Sequence, residues 1–425
     1  MSPRPLPLLA LLLLALPAQA EPLPVAIRQA LAQHPEVRTS QAMRNAMDER
    51  LAQVRSNYYP SVGVDVLAQD ARDLDLGVAR DRSTRRADAF LRWNLFRGLA
   101  DSHSERMSEH ELLAADADLD ASREQVALQV SQTYLEVLRL RRHIELDEAY
   151  LAELRQLDED VGRRVAAGRM AQADREHTRS GLIQALANQS RLRGQLRGAE
   201  MRYRLLVGET PGGLSEPVLD DSAASQDLEA LLADALSRND RLRATSQRAA
   251  ARGKEVGIAK AALYPRLDLE LRRRLYTDIE PVPQTQTEHT TQLVLNYQMP
   301  LGGASFSRMR EAIQRKEAAQ AAMDAEVLNV RSDIAQRWTA WQEARAITPQ
   351  LVERVAASDR VVQAYDLQFN AGRRSVGDLI SARTERYGAR VDLLENRVRQ
   401  LALNAEMLAL LGQLRISLLG ASTQR

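Results

Sequence analysis

The chain contains no cysteine in its 425 residues. That excludes disulfides, thiolate metal sites and a thiol nucleophile. Its six histidines are scattered, and His110-Glu111-Leu112-Leu113-Ala114 misses the zinc-binding pattern because its fifth residue is alanine. Phosphate loops and dinucleotide fingerprints are also missing, so neither an enzyme nor a cofactor is expected. Aromatic residues make up only 4% and charged residues 27%, which suits long solvated helices better than a thick globular core. The 58 basic and 57 acidic residues nearly cancel, leaving no global field to attract nucleic acid. Beyond residue 20 no run approaches the roughly 18 apolar residues of a transmembrane helix.

The N-terminus is different. Arg4, the apolar run Leu8 to Leu16 and the small-x-small site Ala18-Gln19-Ala20 predict a secretory signal peptide over 1–20. With no cysteine after that cut, a lipoprotein anchor is not expected. An exported chain of this kind could sit in a membrane only as a β-barrel.

What the chain does have is repetition at an offset of about 205 residues. Ala30-Leu31 with His34-Pro35-Glu36-Val37-Arg38 returns as Ala235-Leu236 with Asn239-Asp240-Arg241-Leu242-Arg243. Tyr59-Pro60 returns as Tyr264-Pro265, Gly98 as Gly303, and Ala167-Gly168-Arg169 as Ala371-Gly372-Arg373. Val207-Gly208 returns as Leu411-Gly412. Two structural repeats are predicted, 21–215 and 216–425, since a long supersecondary unit seldom buries its apolar face alone.

Each repeat opens with a predicted helix, 23–57 or 226–262, stopped by its Tyr-Pro pair. A strand hairpin follows, at about 61–95 and about 266–299. Val62, Val64 and Val66 alternate with polar or small residues, as do Leu91, Trp93 and Leu95, Leu267, Leu269 and Leu271, and Leu293, Leu295 and Tyr297. Period two over about ten residues is the length of a tilted transmembrane strand. Polar stretches 71–86 and 277–289 are expected to separate the strands of each hairpin. Nine of the seventeen aromatics fall within 58–96 and 264–306, under a fifth of the chain, as an interfacial girdle would require. A pair of soluble hairpins with one buried face is the competing reading of the same pattern. Arg272-Arg273-Arg274 is the oddest strand feature: if Leu271 faces lipid, so does Arg273, which places it near the outer rim facing lipid phosphates.

Long helical stretches follow at 99–166 and 304–370. Val130, Val137, Ile144 and Leu151 recur every seven residues, with Leu140, Leu154 and Val161 beside them. Ile334, Trp341, Thr348, Val355, Val362 and Phe369 keep the same register, predicting helices packed side by side. Pro349 is expected to kink the second. Breaks at Gly168 and Gly372 lead into return helices of about 35 residues, ending at Gly208 and Gly412.

Four strands cannot close a barrel, and open edges in hydrocarbon leave backbone groups unpaired. Two copies would give eight strands and three would give twelve. Side chains fill an eight-stranded interior, so a conduit favours the trimer.

The order of elements, the duplication and several motifs resemble the TolC-like outer-membrane factors. Those motifs are Ala-Leu-x-x-His-Pro-Glu-Val, Trp93-Asn94-Leu95-Phe96-Arg97-Gly98, Pro300-Leu301-Gly302-Gly303, and Gln368-Phe369-Asn370-Ala371-Gly372-Arg373-Arg374 leading to Asp378-Leu379-Ile380. The resemblance covers the whole mature chain. It implies a mainly α fold with a transmembrane β-barrel: a homotrimer with twelve barrel strands embedded in outer-membrane lipid. A long α-helical barrel would extend into the periplasm. It also implies an exit duct working with a periplasmic adaptor and an inner-membrane ABC or RND transporter. The Trp-Asn-Leu-Phe and Gln-Phe-Asn-x-Gly-Arg stretches look more like ducts of type I protein secretion than of drug efflux, the alternative.

By position, the resemblance implies a periplasmic gate involving Asp174, Arg374, Asp378 and Phe369, with Arg374 pairing Asp174 of a neighbouring protomer. It implies adaptor-docking hairpin tips at Gly168, Arg169, Gly372 and Arg373. Phe369 lacks the hydroxyl expected of a gate tyrosine, and Ser381 stands where a second aspartate is expected. Ala173 and Arg169 also depart from that pattern. The helix macrodipole alone would favour a first-turn aspartate. An exported coiled-coil protein without a pore, structural or adhesive, would have no use for alternating strands with an aromatic girdle.

Overall fold

The computed structural model describes residues 22–75, 78–222, 224–280 and 288–420, and is mostly helical (74%). The expected signal peptide lies outside the described residues. The first half runs α1 (Leu23–Gln33), α2 (Pro35–Arg55), β1 (Ser61–Asp75), β2 (Val78–Arg97), α3 (Ala100–Ala166) and α4 (Gln172–Val207). The second half runs α5 (Leu228–Arg238), α6 (Asp240–Ala261), β3 (Arg266–Glu280), β4 (His289–Asn296), α7 (Ala304–Asn370) and α8 (Val376–Leu410), followed by α9 (Leu414–Gly420). Among the described residues no single helix is long and apolar enough to cross a membrane.

Two expectations need correction. The opening helix of each half is not continuous. Pro35 disfavours the helical region at His34, which is extended (φ −65, ψ 129), and a new helix starts at Pro35. The second break has a different cause: Asn239 is extended and its side chain accepts from the Leu242 N–H at 2.9 Å, capping α6. The strands are also longer than their apolar alternation. β1 and β2 remain paired from Ser61↔Arg92 to Asp75↔Val78, through most of the stretch expected to be polar loop. Backbone pairing does not require apolar side chains, so the ladder continues where the alternation ends.

The chain divides into two compact units, each drawing on both halves. One comprises residues 38–122 and 236–332. It holds an antiparallel sheet of order β1-β2-β3-β4, in which the central β2–β3 pairing joins the two halves. β1 and β4 are its edges. Ion pairs lace α2 and α6 to α3 in this unit: Arg44–Asp116 at 2.9 Å, Arg55–Glu105 at 2.8 Å and Arg243–Asp120 at 2.9 Å. Each is half-exposed and worth under about 1 kcal/mol. Gly98 links β2 to α3 at φ +61, where a Cβ would stand 2.6 Å from the Ala261 carbonyl oxygen. That turn requires glycine twice over, for its conformation and for its space.

The other unit comprises residues up to 37, 123–235 and 333 onward. Its buried heptad positions include Val130, Val137, Leu151, Leu154, Val161, Ile334, Trp341, Val362 and Phe369. α3 and α7 are unbroken over 67 residues each, about 100 Å at 1.5 Å per residue. α7 stays helical through Pro349. In the turn before the proline, Asn396 and Gln400 of α8 both donate to the Ala344 carbonyl at 2.9 Å and to Thr348 Oγ1 at 2.9 and 2.7 Å. Pro349 leaves the Arg345 carbonyl without its ladder donor, and these side-chain donors pin the turn immediately before it.

Gly98→Ala should lower stability by about 1–3 kcal/mol, since it adds left-handed strain and a clash. Gly303→Ala, at φ +73 with open space around it, isolates the strain alone and should cost less. Thermal melts of the two variants by circular dichroism check this; equal losses would contradict the close approach.

Candidate functional site

The hairpin turn between α3 and α4 is built by its glycine. Gly168 sits at φ +71, its N–H donates to Val165 O at 2.9 Å, and the Arg169 N–H donates back to Arg164 O at 2.8 Å. Gly372 repeats this between α7 and α8, at φ +69 with Gly372 N–H to Phe369 O at 3.0 Å and Arg373 N–H to Gln368 O at 2.9 Å. These are the paired bonds that end a helix with a left-handed residue. A Cβ at either glycine would meet nothing within 4 Å, so the backbone conformation and not crowding selects glycine. Arg169 and Arg373 are exposed immediately after them.

Beneath the turns lies an apolar cluster of Leu157, Val161, Phe369, Val376, Leu379 and Ile380. Phe369 is thus a buried packing residue, 4% exposed, covered by the Arg164 guanidinium at 4.6 Å from its ring centroid.

The other residues expected at a gate make their contacts within one chain. The Asp174 carboxylate accepts from the Ala171 N–H at 3.3 Å, satisfying a donor that α4 would otherwise leave open. Ser375 caps α8: the Asp378 N–H donates to Ser375 Oγ at 3.1 Å, and the Ser375 hydroxyl in turn donates to Asp378 Oδ2 at 2.8 Å. Arg374 lies over the Tyr365 ring at 4.0 Å, donates to Gln368 Oε1 at 3.2 Å and stands 3.8 Å from Asp378. Asp174 and Arg374 line one polar cleft together with Arg164 and Arg169, but make no contact with each other inside the chain.

Sequence reasoning missed a polar network between α3 and α8. His143 Nε2 lies 3.0 Å from the Tyr387 hydroxyl, which donates to Asp147 Oδ1 at 3.3 Å. Tyr150 stacks on Tyr387 with centroids 4.8 Å apart, and its own hydroxyl meets Thr384 Oγ1 at 2.8 Å. Burial lowers the His143 pKa, helped by Arg139 and opposed by Glu395. Burial raises the Asp147 and Tyr387 groups, Tyr387 strongly. In the sequence His143 and Tyr387 sit in different halves with no spacing rule to join them.

The sheet separates its two faces. Across β2, β3 and β4, Arg92 donates to Glu270 at 2.9 Å and Gln292 to Glu270 at 2.8 Å, while Asn94 donates to Asp268 at 2.7 Å. On the same face Asp88, 1% exposed, is ringed by Arg86 at 2.9 Å, Arg272 at 3.4 Å and Arg274 at 3.5 Å. The opposite face carries Val62, Val64, Leu271, Leu293 and Leu295, all exposed. The alternation of Arg272, Arg273 and Arg274 was legible; that Asp88 is their counter-charge needed the register.

His143 supplies a pH test. Its folded-state pKa lies below the ordinary 6.5, so between those values the unfolded chain binds more protons and stability falls as pH drops through 6.5. Asp147 has the opposite sign and acts lower, between its raised value and 3.8. His143→Gln should flatten the loss of thermal stability between about pH 7 and 5.5. An unchanged slope would contradict it.

The sequence pattern of the family described as Outer membrane efflux protein matches this chain twice, at residues 26–209 and 231–413. The chain is 22% identical over 385 residues to Outer membrane efflux protein BepC of Brucella suis, covering 89% of this chain and 82% of that protein. It is 24% identical over 374 residues to Protein CyaE of Bordetella pertussis, covering 86% and 78%. Its fold matches the crystal structure of the outer membrane protein VceC from Vibrio cholerae with a TM-score of 0.80, at 17% identity, over 92% of this chain and 96% of that one. Family and structural neighbours are channels, not enzymes. The chain belongs to the outer membrane efflux protein family, as a TolC-like channel of the bacterial outer membrane extending into the periplasm.

Proposed function

We propose that three copies of this chain close a twelve-stranded barrel, four strands from each, and act as the exit duct of a tripartite transport system. The observation that carries this reading is the sheet: it has two edges, β1 and β4, and an apolar face left exposed at Val62, Val64, Leu293 and Leu295. Both features are liabilities for a lone chain and are resolved together by edge pairing within a bilayer. The repeats 21–215 and 216–425 then each supply one strand hairpin and one helical hairpin. Gly168, Arg169, Gly372 and Arg373 meet a periplasmic adaptor, and an inner-membrane transporter supplies the energy.

Type I secretion of proteins, with an ABC transporter, is the preferred cargo route, supported by the Trp93-Asn94-Leu95-Phe96 and Gln368-Phe369-Asn370-Ala371-Gly372-Arg373 stretches. Efflux of drugs or other small molecules is the second reading, favoured by the description of BepC as an efflux protein. Deleting the gene separates them. Loss of one or more large proteins from the medium, with drug susceptibility unchanged, is expected; the reverse pattern would favour efflux.

At the tips, Arg374 pairs with Asp174 of the next protomer to hold the duct closed. Its contacts within the chain are compatible with this: a cation over Tyr365 and a 3.8 Å approach to Asp378 are each worth only about 1 kcal/mol or less at an exposed site. Arg374→Ala should make cells leak to vancomycin, and the exchange Arg374→Asp with Asp174→Arg should restore the barrier. Unchanged susceptibility of Arg374→Ala would contradict the latch.

A further inference from the structure

We infer that Arg273, with His289 beside it, forms a binding site on the outside of the barrel for the phosphate of an outer-leaflet lipid headgroup. The neighbouring arginines define the contrast. Arg272 and Arg274 both reach Asp88 on the polar face, and Arg274 also meets Glu288 at 2.6 Å. Arg273 points the other way and is exposed, and among the described residues its side chain makes no ion pair or hydrogen bond. Its register partners are Ala89 on β2 and His289 on β4, and two residues along the same face stands Leu271, paired with Leu91 and Thr291. A guanidinium is therefore held on the apolar face with an imidazole on the adjacent strand and no carboxylate partner.

Depth makes that position meaningful. A bulge at Leu275 puts Tyr276 opposite Ala87, returning an aromatic residue to the face of Ala89 and Arg273. From Leu267 to Tyr276 is about 30 Å of strand, or roughly 23 Å of depth at the usual tilt, close to the apolar band of about 25 Å in such barrels. Tyr276 thus marks the band's upper edge, on the side away from the helices. Arg273 lies three residues inside it, about 7 Å deep, a gap that an arginine side chain spans by extending toward the headgroups. An unpaired arginine costs about 2–4 kcal/mol at the midplane and near zero at the interface, so a phosphate within reach converts a penalty into a charge-assisted, bidentate contact. His289 can add one hydrogen bond to the same oxygens.

The inference rests on the barrel reading, and the test separates the two. Wild type, Arg273→Gln, Arg273→Leu and Arg273→Lys would be purified in neutral detergent and sized, then incubated with lipid A, with phosphatidylglycerol, or with inorganic phosphate. Bound lipid would be measured by native mass spectrometry. Trimers of every variant are expected, because leucine suits this face. Lipid A or phosphatidylglycerol should bind wild type and Arg273→Lys about tenfold more tightly than Arg273→Gln and Arg273→Leu. Inorganic phosphate should not compete at concentrations that leave the lipid bound. Equal lipid binding by trimeric wild type and Arg273→Leu would overturn this site alone. Displacement by inorganic phosphate would overturn the lipid assignment in favour of a free-anion site. Failure of wild type to form a trimer would overturn the barrel reading itself.

Discussion

Backbone amides and carbonyls in hydrocarbon must find partners within protein, and in this chain four strands leave two edges without them. Much of the architecture follows from that constraint. The β2–β3 pairing joins the two halves into one sheet, so each copy contributes two neighbouring hairpins rather than two separate ones. Each half's apolar face alternates with a polar face whose side chains are largely satisfied by one another, as in Arg92–Glu270–Gln292 and Asn94–Asp268. A sheet with one face for lipid and one for water is what a duct wall needs.

The helical part meets a different demand. Helices of 67 residues cannot rely on one globular core, and their stability is distributed along a heptad seam from Val130 to Val161 and from Ile334 to Phe369. Polar side chains cross this seam as hydrogen-bonded sets at two places. Asn396 and Gln400 hold the turn before Pro349, and the His143–Tyr387–Asp147 chain ties α3 to α8. At the tips the glycine turns and first-turn aspartates finish the helices without borrowing from a partner. Asp174 and Arg374 therefore have two employments, one within the helix and one proposed across the trimer.

The sequence was most informative where a period or a backbone rule governs. The long helices, the strand positions and the turns at Gly168 and Gly372 all follow from heptads, alternation and glycine. It was least informative where a partner from the other half decides the outcome. The counter-charge of Arg272 and Arg274 is Asp88, more than 180 residues away, and only the strand register brings them together. The break at Asn239 was hidden because it is a side-chain cap rather than a proline. Phe369 was legible as a departure from the gate pattern, but its role as the centre of an apolar cluster required the fold.

The absence of native cysteine makes the central claim directly measurable. In one chain β1 and β4 are separated by two strands, so even residues in line across the sheet, such as Val62 and Thr291, lie about 14 Å apart, beyond disulfide reach. Single cysteines scanned in pairs along Val62, Val64 and Val66 against Thr291, Leu293 and Leu295 can bond only between copies. Closure by edge pairing predicts that one register of pairs yields a covalent trimer in outer-membrane fractions under oxidation, collapsing to monomer on reduction. Monomer at every register, or a ladder that stops at dimer, would contradict it.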